Sequence, residues 1–105
     1  MIDLNNDHLE TVREILNRHL PYQRVVVFGS RVKGKVKKYS DLDLCVMGNT
    51  PLSLEILSNL REDFSESDLP IRVDIVDWAT IDPEFRTVIQ EQCEDITPLR
   101  KTKTF

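Results

Sequence analysis

The chain has 105 residues, 30% of them charged, and a formal net charge of −4. That length suits one small domain with a modest core, and the acidic balance argues against a general polyanion-binding protein, whose surface carries a strong basic excess. No run approaches the roughly 18 apolar residues of a membrane span, and Met1-Ile2-Asp3-Leu4 opens no signal peptide, because an acid precedes any long apolar stretch. The cysteines, Cys45 and Cys93, sit in apolar surroundings without zinc or redox spacing, so the expectation is buried free thiols in a cytoplasmic protein.

From Asp7 to about Leu20, apolar residues at Leu9, Val12, Ile15, Leu16 and Leu20 follow the spacing of an amphipathic helix. Asp7 and Glu10 read as a near capping box at its start, and Pro21 stops it. Arg24 to Phe28 is a short β-branched run, expected as a strand covered on both faces. Gly29 ends it. Val32 to Tyr39, with Lys33, Gly34, Lys35, Lys37 and Lys38, reads as a loop or a short helical turn followed by a loop. Leu42 to Met47 is a second strand, with Leu42, Leu44 and Val46 on one face and Asp41, Asp43 and Cys45 on the other. After a turn at Gly48-Asn49, Thr50 and Pro51 read as N-cap and first residue of a helix carrying Leu52, Ile56, Leu57, Leu60 and Phe64 on one face. Ile71 to Val76 is a third strand, in which Arg72, Asp74 and Val76 share a face. Asp82-Pro83-Glu84 opens a last helix, with Phe85, Val88, Ile89, Gln92, Cys93 and Ile96 at helical spacing. Residues 1–99 form the domain, and the basic tail 100–105 is expected to be loose. The fold class is α+β with an α/β-like order: a small mixed sheet of three or more strands flanked by helices.

Two features carry chemistry. Gly29 allows a backbone shape that other residues resist, and Ser30 adds a hydroxyl able to bond a phosphate oxygen; alone, Gly-Ser after a strand is ordinarily just a turn. Asp41 and Asp43, at i and i+2, point the same way about 6–7 Å apart along the chain. Their convergence is unfavourable unless a cation lies between them, and Mg²⁺ with its preference for oxygen ligands is the usual partner in phosphate chemistry. Asp74 adds a third acid with the same alternation on another strand, and three such groups suffice for a two-metal clamp.

The run Phe28-Gly29-Ser30-Arg31-Val32-Lys33-Gly34, then Ser40-Asp41-Leu42-Asp43-Leu44, with Asp74 on a later strand, resembles the DNA polymerase β-like nucleotidyltransferase superfamily, and within it the minimal nucleotidyltransferases. The resemblance spans about Val25 to Val76. It implies the nucleotidyltransferase fold, with Asp41 and Asp43 binding two Mg²⁺ ions, Asp74 binding the catalytic ion and helping to deprotonate an acceptor hydroxyl, and Gly29 and Ser30 holding the outer phosphates. It also implies that Arg31 and Lys33 touch phosphate or leaving pyrophosphate. ATP is the implied donor, AMP the transferred group, and a hydroxyl, as on tyrosine, of a HEPN-domain partner the acceptor, in a toxin–antitoxin pair. Many relatives carry arginine where this chain has Lys33, which keeps a cation and loses the bidentate fork. No added domain would hold a nucleobase or a second substrate, so substrate choice falls to loops or to a partner chain.

The competing reading is a module that neutralises its partner by contact alone. Three converging carboxylates favour the enzyme, since a pure binding surface has no need of them. The lysines of the 31–38 stretch lack interleaved aromatics for base stacking, so direct nucleic-acid binding is not expected. Asp77 alternates away from Asp74 and reads as a cap or a solvated group; Trp78 as core or rim packing; His8 and His19 as structural; the run Asp63 to Asp68 as a solvated helix end. A small open sheet leaves an edge and an apolar rim, so an oligomer or heterocomplex is expected.

Overall fold

The computed structural model describes residues 2–34 and 40–97; the Lys35, Lys37, Lys38 and Tyr39 part of the basic loop and the 98–105 tail lie outside the described residues. Helix α1 spans Asn6–His19, strand β1 Val25–Phe28, helix α2 Ser30–Lys33, strand β2 Leu42–Val46, helix α3 Leu54–Glu66, strand β3 Val73–Asp77, helix α4 Pro83–Glu91 and strand β4 Cys93–Asp95. The sheet is four-stranded in the order β3-β2-β1-β4. β1 runs antiparallel to both β2 and β4, and β2 runs parallel to β3. The expected mixed sheet with flanking helices is therefore present.

Alternation along the strands divides the apolar residues between two layers, as expected for a strand covered on both faces. Val25 and Val27 of β1 and Leu42, Leu44 and Val46 of β2 join Val12, Ile15 and Leu16 of α1 and Leu60 and Phe64 of α3 in the larger core. Val26 and Cys45 face the other way, onto Ile89 of α4, with Phe28, Phe85 and Trp78 packed around them. Leu16, Leu42, Leu44 and Leu60 are fully buried, each contributing about 1.5–3 kcal/mol, so this layer outweighs any surface ion pair. Both cysteines are free, Cys45 buried and Cys93 half-buried. Burial, with the nearby Asp77 charge second, pushes the Cys45 thiol up to about 11.

Three local expectations are corrected. The α1 cap is Asn5, whose side chain accepts from the Asp7 N–H at 2.8 Å, which leaves Asp7 in the first turn beside the dipole's positive end. α3 begins at Leu54, capped by Ser53 accepting from the Ile56 N–H at 3.1 Å, and not at Thr50-Pro51. The reason is tertiary: the Leu52 N–H donates to Asp77 Oδ2 at 2.7 Å, which holds the preceding segment against the end of β3 and outside the helix. Finally, α4 stops at Glu91, and Cys93 to Asp95 pairs with β1 instead of continuing the helix. That edge of β1 would otherwise be unpaired, and a period of two also places Cys93 on the α4 side and Ile96 in the larger core.

Asp63 is also not a solvated helix end. It accepts from Arg18 and pairs with His19 Nε2 at 2.8 Å, joining α1 to α3. The His19 hydrogen bond first, joined by the Arg18 guanidinium, outweighs the cost of burial and holds its carboxyl below the usual value of 3.8. A carboxyl lowered by folding stabilises above its unfolded value and loses that contribution as pH falls through the folded one. Asp63→Asn is accordingly expected to reduce stability by about 0.2–1 kcal/mol at neutral pH, with the difference from wild type vanishing at a pH below the lowered folded value. Urea titrations at both pH values check this.

Candidate active site

The site forms where β1 turns into α2. Gly29 has φ 81° and ψ −155°, a region open essentially to glycine alone, and its carbonyl accepts from the N–H groups of Val32 and Lys33, both at 3.1 Å. A Cβ built on Gly29 would collide with Asp43 Oδ2. The bare Cα is thus what lets the β2 carboxylate lie against the turn. Ser30 follows, half-buried, as the first residue of α2.

Asp43 is paired with Phe28 on one side and Asp74 on the other, so Phe28, Asp43 and Asp74 form one row across β1, β2 and β3. Asp41 sits just before β2, half-buried. Desolvation first, then the negative charges of Asp74 and Asp41, hold the Asp43 carboxyl above its usual value. Like charges gathered in a partly dry place cost free energy in isolation, and perturbation of this kind marks sites built for a cation or for proton transfer. Phe85 of α4 stands edge-on to Phe28, with centroids 5.7 Å apart. These rings, with Asp43 and Asp74, line a cleft of about 890 Å³.

The expected phosphate ligands divide. Gly29 and Ser30 adjoin the acids. Arg31 is buried, and its guanidinium donates to the carbonyls of Ser40 at 3.0 and 3.2 Å and of Asp3 at 2.8 Å; it ties down the segment from which Asp41 emerges. Lys33 is exposed at the last turn of α2. Asp77, expected as a cap or a solvated group, is buried and is the cap: it accepts from the Ala79 N–H at 3.2 Å and opens a short 3₁₀ turn over Trp78–Thr80. The Trp78 ring carries the Arg86 guanidinium 5.0 Å from its centroid.

One pairing was missed. Arg72 Nε lies 3.2 Å from Asp74 Oδ1, and its signal was in the sequence: a cation two residues before an acid on a strand shares its face. Among the described residues no three acidic, histidine or cysteine side chains lie close enough to hold one ion. The carboxylates repel one another, and Asp74 turns to Arg72. The donor chemistry, all carboxylate oxygen with Asp43 raised by burial and then by its acidic neighbours, fits Mg²⁺.

Comparison with known proteins agrees with this geometry. Residues 10–97 match the family described as polymerase beta, nucleotidyltransferase. A probable protein adenylyltransferase MntA from Haemophilus influenzae is 46% identical over 101 residues, covering 96% of this chain and 89% of that protein. Among solved structures, a toxin–antitoxin complex with AMP-PNP superposes with a TM-score of 0.71 at 21% identity, over 87% of this chain and 73% of that one. A tri-AMPylated HEPN toxin of Shewanella oneidensis in complex with its MNT antitoxin gives a TM-score of 0.64 at 20% identity, over 89% and 72%; at such identities these likenesses speak to the fold. With the Gly-Ser turn, the paired aspartates and the matched span in agreement, the chain belongs to the polymerase β-type nucleotidyltransferases, in their minimal branch.

Proposed function

We propose that this chain is an ATP-dependent protein adenylyltransferase that transfers AMP to a hydroxyl, as on tyrosine, of a HEPN-domain toxin and thereby acts as its antitoxin. The observation that carries the reading is that Asp43, paired with Asp74 in the cleft, lies against the bare Cα of Gly29. The relative from Haemophilus influenzae, a probable protein adenylyltransferase matched over nearly its whole length, supports it. In the reaction the acceptor oxygen bonds to the α-phosphorus of ATP, the bond to the β-phosphate breaks, and pyrophosphate leaves. Asp41 and Asp43 would hold both Mg²⁺ ions and Asp74 one of them; when bound, these ions neutralise the triphosphate and the charge developing at phosphorus. Asp74, which lines the cleft on the outermost strand, would take the hydroxyl proton. Gly29 and Ser30 bind the outer phosphates. Lys33 adds a cation beyond them. Arg31 keeps Ser40 and hence Asp41 in place.

The test is incubation of the protein with ATP labelled at the α-phosphate, Mg²⁺ and the purified HEPN partner. The expected result is labelled partner and released pyrophosphate. Unlabelled partner, together with full neutralisation by an Asp41→Asn/Asp43→Asn double variant, would overturn the reading in favour of a contact-only antitoxin. Ser30→Ala deletes one hydrogen bond to a charged phosphate, worth about 0.5–1.5 kcal/mol or more. Calorimetry is expected to show ATP affinity falling about 2- to 10-fold with the melting temperature unchanged; unaltered affinity would remove Ser30 from the site.

A further inference from the structure

β3 is the outermost strand of the sheet, and among the described residues no strand pairs with its free side. In a parallel ladder, alternate residues of an edge strand turn both backbone groups outward. The Leu42 N–H donates to the Arg72 carbonyl and the register sets Leu42 beside Val73 and Asp43 beside Asp74. The N–H groups of Val73 and Ile75 therefore face the open side. The Ile75 carbonyl does so too, and it accepts from Arg61 of α3 at a long 3.4 Å. Unpaired backbone groups along a strand are a template for another strand.

The cleft runs along this edge. Its lining joins Asp43, Asp74 and the Arg72 paired with Asp74 on the α4 face to Arg61, Phe64 and Leu69 on the α3 face. We propose that the open edge of β3 is where the acceptor docks, as an extended segment that adds a strand to the sheet. Resting on the adenylyltransferase reading, the proposal names how that site takes its protein substrate.

Register gives the reason. Every second side chain of a strand laid beside β3 falls on Asp74's face of the sheet, and a residue directly opposite it lies with Cβ about 4.5–5.5 Å away. Strand addition thus delivers a hydroxyl to the carboxylate placed to receive its proton, with no further domain needed. The alternate side chains fall on the α3 face, against Phe64 and Leu69. Charge completes the description of the occupant: Arg61 and Arg72 border the edge, and Arg72 is three-quarters exposed. The segment is therefore extended, bears its hydroxyl between apolar neighbours, and carries a carboxylate for these guanidinium groups. Main-chain bonds supply affinity and the alternate pockets supply selectivity, as in other cases of strand addition.

Backbone hydrogen exchange of the complex between this protein and its HEPN partner tests this directly. The amides of Val73 and Ile75 are expected to be slowed at least about tenfold by the partner, and unchanged rates at both with the partner bound would overturn the proposal. Two variants read the same surface kinetically. Val73→Pro removes an outward N–H at an edge position where proline is tolerated, and Arg61→Glu reverses a border charge. Each is expected to raise the KM for the partner about tenfold or more while ATP affinity by calorimetry stays at the wild-type value. A partner KM unchanged in both variants, with wild-type protein still labelling the partner, sinks edge docking alone. No labelling by wild-type protein sinks the adenylyltransferase reading, and protection of Val73 and Ile75 in that same complex would still establish the edge as the docking strip.

Discussion

Replacing Asp43 by Asn is expected to abolish AMP transfer and, in the absence of divalent cations, to raise the melting temperature. The first effect follows from position. Asp43 lies between Asp74 and Asp41, and removing its charge takes away the centre of the set that would neutralise the triphosphate; several kcal/mol of transition-state stabilisation corresponds to on the order of 10³-fold in rate. The second effect follows from the direction of its ionisation. Burial, and then the charges of Asp74 and Asp41, raise the Asp43 carboxyl above its usual value. The native state then binds this proton more tightly than the unfolded chain, so stability declines as pH rises through the raised value and the full cost is present above it. Asn keeps the shape and removes the charge. The gain over wild type is expected to shrink as pH falls through the raised value and to be gone below the ordinary carboxylate value of 3.8, where Asp43 is protonated in both states.

Mg²⁺ gives the same experiment a third arm. An ion that binds only the folded state stabilises it by mass action, so thermal scans with and without MgCl₂ are expected to show a clear upward shift for wild type and a much smaller one for Asp43→Asn. A wild-type protein indifferent to Mg²⁺, or an Asn variant less stable than wild type in its absence, would mean that the three carboxylates do not form a mutually repelling set. Activity and stability moving in opposite directions is the expected signature of a site assembled against its own electrostatics.

Sequence periodicity carried most of the frame because the deciding forces were local. In β2, a period of two separated Leu42, Leu44 and Val46 from Asp43 and Cys45, and the two layers of the core follow that separation. Asp82-Pro83-Glu84 opened α4 as expected, with the Asp82 side chain accepting from the Phe85 N–H at 2.8 Å. Periodicity failed where a distant partner decided. Cys93 and Ile96 fit a helix as well as a strand, and only the free edge of β1 selects the strand. Thr50-Pro51 is a sound helix start whose claim loses to the bond between Leu52 and Asp77. In the site, the acids and the Gly-Ser turn were legible as residue types at fixed spacing. The burial of Arg31 on two backbone carbonyls was not, because nothing in a one-dimensional pattern distinguishes a guanidinium that meets phosphate from one that meets the chain.

The second large effect is expected at Gly29. Gly29→Ala meets two separate penalties. The backbone at φ 81° and ψ −155° is strained for any residue with a Cβ, at about 1–3 kcal/mol, or about 4–20 °C in melting temperature for a domain of this size. The new methyl also runs into Asp43 Oδ2. That oxygen ends a short side chain that can rotate away, so the collision need not unfold the protein; it displaces the carboxylate. Transfer activity is therefore expected to fall nearly as far as in Asp43→Asn, even at temperatures where the variant remains folded by circular dichroism. A double-mutant cycle separates the penalties. On an Asp43→Ala background the collision is gone and only backbone strain remains, so Gly29→Ala is expected to cost less stability there than in wild type. Equal costs on both backgrounds would show that the Asp43 carboxylate does not rest against Gly29. The turn would then serve only to end β1. A coupling of the expected sign makes the glycine a positioning residue for the acid, and explains physically why a Gly-Ser turn and a strand carboxylate thirteen positions later belong to one site.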